Sequence, residues 1–150
     1  MPVLNMFKVL AHGTDFDVDS FLATTALRAT DVWRKGHTSR GHRDPETSGF
    51  EIVLGDGTAL SVAEQQRLAM EFIGSNYADL IACGTAHGME NYNLFIQHRL
   101  EVPRNCSAFF FGLSQELLSL TVAVKMDAIT YVDLNVLDTI EIPGTQPTAT

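Results

Sequence analysis

The residues best equipped for chemistry in this chain gather in one short stretch. Arg34, Lys35, His37, Arg40, His42 and Arg43 fall within residues 34–43, which contain no Asp or Glu. Arginine forks match the paired oxygens of phosphate or carboxylate, and Gly36 and Gly41 permit close backbone approach. The chemistry this pattern allows is capture of an anion or of an acidic protein surface. No GxxxxGK[ST] run is present, so the stretch is not a nucleotide phosphate loop. The plainer reading is a solvated loop whose positive charges balance the rest of the chain. Trp33, the only tryptophan, precedes it. Beside Arg34 it can anchor a partner surface, or it can be core of its own strand.

Three weaker combinations compete. Cys83 and His87 lie four residues apart between glycines, with Glu90 beyond. A nucleophilic thiolate needs a base or positive charge beside it, and His87 supplies one only if the loop folds back. An ordinary helix-ending loop explains the same residues. Asp15, Asp17 and Asp19 alternate as in the first half of a calcium loop. The glycine and the glutamate that such a loop needs at its sixth and twelfth positions are replaced by Ser20 and Ala26. Helix capping accounts for these acids. His12, His37, His42 and His87 have no HxH or HxxxH spacing, so no metal site is expected. His98 falls on the apolar face of an alternating segment, where a hydrogen-bonded core histidine is the simpler account. No motif implies a cofactor.

Charge and composition narrow the class. The chain has 150 residues, is 45% hydrophobic and 19% charged, and carries a formal charge of −8. Those values describe a globular chain, with no apolar run long enough to span a bilayer. Residues 34–43 hold four of the ten basic residues and carry +4, which leaves −12 on the remainder. An acidic body disfavours nucleic acid and anionic membranes as partners and favours a basic protein. Two cysteines, Cys83 and Cys106, are too few for a disulfide scaffold and fit reduced thiols in a cytoplasmic setting. The first residues lack the basic and apolar regions of a secretory signal.

Periodicity then supplies the elements that position these residues. Strands are expected over residues 5–11, 30–34, 49–54, 92–102, 108–111 and 128–136, from alternation or short apolar runs. Helices are expected from an Asp17 or Asp19 cap to Leu27, from the capping box Ser61-Val62-Ala63-Glu64 onward, and over residues 114–125. In the second, Leu68, Ala69, Phe72, Ile73 and Tyr77 form the apolar side, continuing to Leu80 and Ile81 unless Gly74-Ser75-Asn76 interrupts it. In the third, Leu117, Leu118, Thr121 and Val124 face inward. Residues 36–48 contain no apolar residue and read as a long loop. The order β-α-β-β-α-β-β-α-β predicts an α+β fold: a ferredoxin-like βαββαβ unit extended by a further βαβ. Its sheet is mixed but mainly antiparallel, with the helices on one face. One domain over residues 1–142 and a flexible tail over 143–150 are expected.

Four segments, in order, carry a family likeness: Asp15-Phe16-Asp17-Val18-Asp19-Ser20-Phe21, Val32-Trp33-Arg34-Lys35-Gly36, Ser48-Gly49-Phe50 and Leu113-Ser114-Gln115-Glu116-Leu117-Leu118. From Phe7 to about Leu134 the chain resembles the bacterial family of domain of unknown function 4279. The resemblance implies no catalytic role for any residue. By analogy of size and character it points to a neutralising partner of a toxin.

The expectation is a non-catalytic protein-binding module of immunity or antitoxin type, which occludes a partner, with Trp33, Arg34, Lys35, His37, Arg40, His42 and Arg43 as its binding residues. The alternatives are a small-anion binder or enzyme built on the same loop, and self-association through an exposed sheet edge into a homo-oligomer.

Overall fold

A computed structural model describes residues 5–37, 45–55, 61–103 and 112–137 of the chain. In chain order the elements are β1 (Asn5–Gly13), α1 (Val18–Ala23), β2 (Asp31–Trp33), β3 (Ser48–Leu54), α2 (Val62–Ser75), α3 (Tyr77–Gly84), β4 (Asn91–Pro103), α4 (Gln115–Ala123) and β5 (Asp127–Leu137). Residues 104–111, with the strand expected at 108–111, and residues 138–150, with the expected tail, lie outside the described residues.

Alternation of side chains sets the sheet. Phe7, Val9 and Ala11 of β1 are fully buried and stand in register with Leu54, Ile52 and Phe50 of β3 on one side. On the other side they meet Ile96, Leu94 and Tyr92 of β4. These three cross-strand rows form one continuous apolar face, because residues two apart on a strand point the same way. Burying each large side chain in them contributes roughly 1.5–3 kcal/mol. The side chains of His98, Leu100 and Val102 lie outside the described part.

The strand order is β2-β3-β1-β4-β5. The first four strands pair antiparallel in the ferredoxin-like order, and β5 runs parallel to β4. A parallel neighbour needs a crossover, and α4 provides it. The fold is therefore α+β with one mixed, mainly antiparallel sheet. Phe16, Val18, Ala69, Ile73, Leu80, Cys83, Leu117 and Val124 from the helices and their flanks join the buried face of the sheet in a single core.

The helix ends show why three local expectations shift. Asp17 caps α1, accepting from the Ser20 backbone at 3.1 Å and from its hydroxyl at 2.7 Å. α1 stops at Ala23 rather than Leu27. Thr24 and Thr25 turn their hydroxyls back onto the carbonyls of Phe21 and Leu22, which competes with continuing the helix. Ser61 caps α2 through the Glu64 amide. Asn76 then ends α2: its backbone and its side-chain amide both donate to the Phe72 carbonyl, at 3.1 and 2.9 Å, and α3 begins on the next residue. The break rotates Tyr77 away from the core, leaving it 43% exposed.

Ser114 caps α4, and the helix closes on Lys125 at φ 60, a left-handed position usually held by glycine. Met126 donates to Thr121 and Lys125 to Val122, which satisfies two terminal carbonyls. Leu117, Thr121 and Val124 are buried as expected, but Leu118 points outward at 40% exposure. Leu117, Leu118, Leu120 and Val122 surround the α4 axis, so its sequence pattern does not distinguish an inner side.

Gln66 links the two long helices. Its amide nitrogen donates to the Gly112 carbonyl at 3.1 Å, and its oxygen accepts from the Ser114 backbone at 2.7 Å. One side-chain amide thus bonds the chain entering α4 as a neighbouring peptide group would.

Candidate functional site

Strand pairing brings the sequence-selected residues to one end of the sheet, where β1 and β2 finish and β3 and β4 begin. Trp33 and His12 both stand opposite Gly49. A Cβ at Gly49 would lie 2.5 Å from the Trp33 ring and 2.4 Å from the Ala11 carbonyl, so glycine is what lets the indole lie across β3. The His12 and Trp33 rings are tilted at 50° with centroids 6.0 Å apart. Trp33 is only 4% exposed, and its indole nitrogen donates to the Thr47 hydroxyl at 3.3 Å. The tryptophan is therefore a buried footing for the hairpin rather than an exposed anchor.

Arg34 follows immediately and grips Asp19 in α1 with two bonds, Nε at 2.7 Å and Nη2 at 2.6 Å. The guanidinium holds the Asp19 carboxyl below its ordinary range, and the carboxylate raises Arg34 in return. Both side chains are about half exposed, at 51% and 56%, so the pair orients the chain more than it stabilises it. The Lys35 amide donates to the Ser48 hydroxyl at 2.9 Å, and the Gly36 amide to the Pro45 carbonyl at 2.9 Å. The His37 amide closes a turn onto the Arg34 carbonyl around Gly36 at φ 80. Lys35 and His37 are exposed. Arg40, His42 and Arg43 lie outside the described residues, so the site is described at its root. That root is braced, with Lys35 and His37 exposed on it.

The thiol combination is dispersed by the fold. Cys83 is fully buried, and burial pushes its thiol up to about 12. A nucleophilic cysteine requires the opposite shift. His87 is exposed on the loop beyond it. That loop is a packing joint. Gly88, at φ 78, lies so close to the Gly13-Thr14-Asp15 turn that a Cβ on Gly13 would meet its carbonyl oxygen at 1.8 Å. The Glu90 amide donates to the His12 carbonyl at 3.1 Å, continuing the joint. Tyr92, raised by its own burial, donates to the Leu80 carbonyl at 2.9 Å and ties α3 to β4.

Asp17, Asp19 and Asp79 have structural partners. Asp17 caps, and that bond from the Ser20 backbone holds its carboxyl below the ordinary range. Asp19 pairs with Arg34, and Asp79 accepts from the Ala26 backbone at 3.0 Å. Among the described residues no three His, Cys, Asp or Glu side chains are grouped to hold a metal ion. Nor, among them, is any helix long and apolar enough to cross a membrane.

One feature escaped sequence reasoning. An open groove of about 940 Å³ runs between α2 and α4, lined by Arg67, Met70, Glu71, Gln115, Glu116, Ser119, Leu120 and Ala123. Its surface is predominantly apolar. The available signal was α4 itself, whose apolar residues outnumber those one buried side can take. Comparison with known proteins places the chain beside none of them: no family model, no curated protein and no solved structure matches it.

Proposed function

We propose that this protein is a non-catalytic protein-binding module of immunity or antitoxin type, which neutralises a partner by covering its active site. The observation that supports this reading is the bracing of the basic hairpin. Its root is tied to the fold through Trp33 and Thr47, Arg34 and Asp19, Lys35 and Ser48, and Gly36 and Pro45. A root held this way loses little conformational freedom on docking, which favours affinity. The charge pattern fits a basic partner with an acidic recess: residues 34–43 enter the recess while the −12 body meets the basic surround. Arg34 already has its fork filled by Asp19, which favours this reading over capture of a small anion by the same loop. Membership in the family of unknown function 4279 and a cytoplasmic setting are part of the same proposal and add no activity to it.

The test is an affinity pull-down from lysate of the source cell, with a variant carrying Arg34→Gln, Lys35→Gln, Arg40→Gln and Arg43→Gln alongside. One stoichiometric basic protein retained by the natural chain and lost by the variant is the expected result. Equal retention by both removes the hairpin from the account. An empty pull-down combined with phosphate binding that perturbs His37 transfers the site to a small anion.

A further inference from the structure

We infer that the groove between α2 and α4 is a second docking surface, fitted to a basic amphipathic helix of a partner protein. Met70, Leu120 and Ala123 give it an apolar floor, and Arg67, Glu71, Gln115, Glu116 and Ser119 complete its lining. The only cation in that lining is already committed: Arg67 bonds Glu71 at 2.6 Å and Glu64 at 3.1 Å on its own helix. Glu71 and Glu116 against Arg67 leave the lining at −1, and Glu64, bonded to Arg67, adds a further carboxylate next to it, within a chain at −8. An apolar trough with acidic edges is complementary to a helix that carries one apolar stripe flanked by Lys or Arg.

Charge also decides against the nearest alternative. A second copy of this chain would bring its own α2 or α4 into the trough and set one net-negative lining against another, within a pair of chains at −8 each. Like-charge juxtaposition of that kind costs rather than stabilises. α4, which lines the trough from Gln115 to Ala123, is 9 residues long, or about 13 Å at the helical rise, so a partner helix lies along it for two to three turns. Such a helix would meet the floor with apolar residues at i, i+3 or i+4, and i+7. Val122 on α4, 75% exposed, leaves further apolar area beside the trough. This surface is separate from the hairpin of the preceding proposal and does not depend on it.

The probe is a fluorescein-labelled peptide of Leu and Lys, about five helical turns long, with Leu at i, i+3, i+4 and i+7. Two controls accompany it: the same composition scrambled, and a version with Glu in place of Lys. Anisotropy titrations use the natural chain, Ser119→Arg, which fills the trough from an exposed position, Glu116→Lys, and the four-site hairpin variant. Circular dichroism and thermal melts establish that each variant is folded. Saturable binding of the Leu/Lys peptide alone is expected, weakened about tenfold or more by Ser119→Arg and less by Glu116→Lys, and unchanged in the hairpin variant. The inference is overturned by absence of saturable binding, by equal binding of the scrambled peptide, or by indifference to Ser119→Arg. Loss confined to the hairpin variant overturns it too, and leaves the hairpin reading standing. Sedimentation of the natural chain provides a last arm: a dimer dissociated by Ser119→Arg would give the trough to a second copy and overturn it as well.

Discussion

Two glycine-bounded loops stand at the same end of this sheet, and they serve opposite ends. Gly36 and Gly88 share a left-handed backbone, at φ 80 and 78. A Cβ on Gly36 would meet no atom of the described residues within 4 Å, whereas one on Gly88 would press to 2.3 Å from the backbone of Asp15. The first glycine answers only a turn's handedness; the second answers a turn's handedness and a backbone pressed against it. Each loop carries histidine and neighbours a group of chemical interest, yet only the first exposes arginine and lysine, at Arg34 and Lys35. What separates an exposed loop from a packing joint here is the surroundings, not the residue types.

The sharpest way to break that contrast is to add a methyl group to each side. Gly13→Ala and Gly88→Ala should each cost more than about 3 kcal/mol in urea denaturation, because backbone on both sides resists the shift. Gly36→Ala should cost about 1 kcal/mol, the penalty of the left-handed conformation alone. Equal losses in the two loops would abolish the distinction.

The second test uses pH. Burial raises the Cys83 thiol from its ordinary 9.0 to about 12, so between those values the unfolded chain ionises while the folded chain keeps its proton. Stability should therefore fall by about 1.4 kcal/mol per pH unit as pH rises above 9. Between pH 9 and 10, below the ordinary value of the buried Tyr92, denaturation midpoints of Cys83→Ala should lack that slope. In the natural chain, labelling of Cys83 by a thiol reagent should wait for unfolding; rapid labelling in the folded state would reopen the packed loop as a reactive one.

The hairpin root is probed more gently. Thr47→Val removes the acceptor 3.3 Å from the Trp33 indole nitrogen and should cost about 1 kcal/mol, read from denaturation followed by the single tryptophan's emission. The smallest effect belongs to Asp19. Its carboxyl, held below the ordinary range by Arg34, means that the pair contributes above the ordinary carboxyl value of 3.8 and is lost as pH falls through the depressed one. In Arg34→Gln the Asp19 carboxyl, followed by NMR titration, should return upward toward that value. No movement would mean that Arg34 does not brace the hairpin.

Much of this architecture was legible from local pattern. Phe7, Val9 and Ala11 announce a one-sided strand, Asp17 and Ser61 announce helix starts, and the order of elements implies a ferredoxin-like sheet with an added strand. Each of those signals lies within a few residues of what it predicts. The misplacements arose where local signals tie or where the deciding contact is distant. Leu118 and Leu117 are equally apolar, and only the fold chooses between them. Tyr77 follows the helical period, but the Asn76 side chain interrupts it. The pressing of Gly13 on Gly88 joins residues far apart in the chain, and nothing near either glycine encodes it. At the site, the basic cluster was visible as composition, while the Asp19 partner of Arg34 and the seat of Trp33 on Gly49 needed strand register.

The Gln66 clasp bears on how the two long helices can move. A bond given and a bond received by the same amide resist sliding in both directions, so α4 cannot ratchet along α2 without breaking the pair together. Replacement by Glu would keep the acceptor and lose the donor, freeing motion that the amide forbids. The trough is thereby kept at one width before any visitor arrives, and whatever settles there finds a rigid berth.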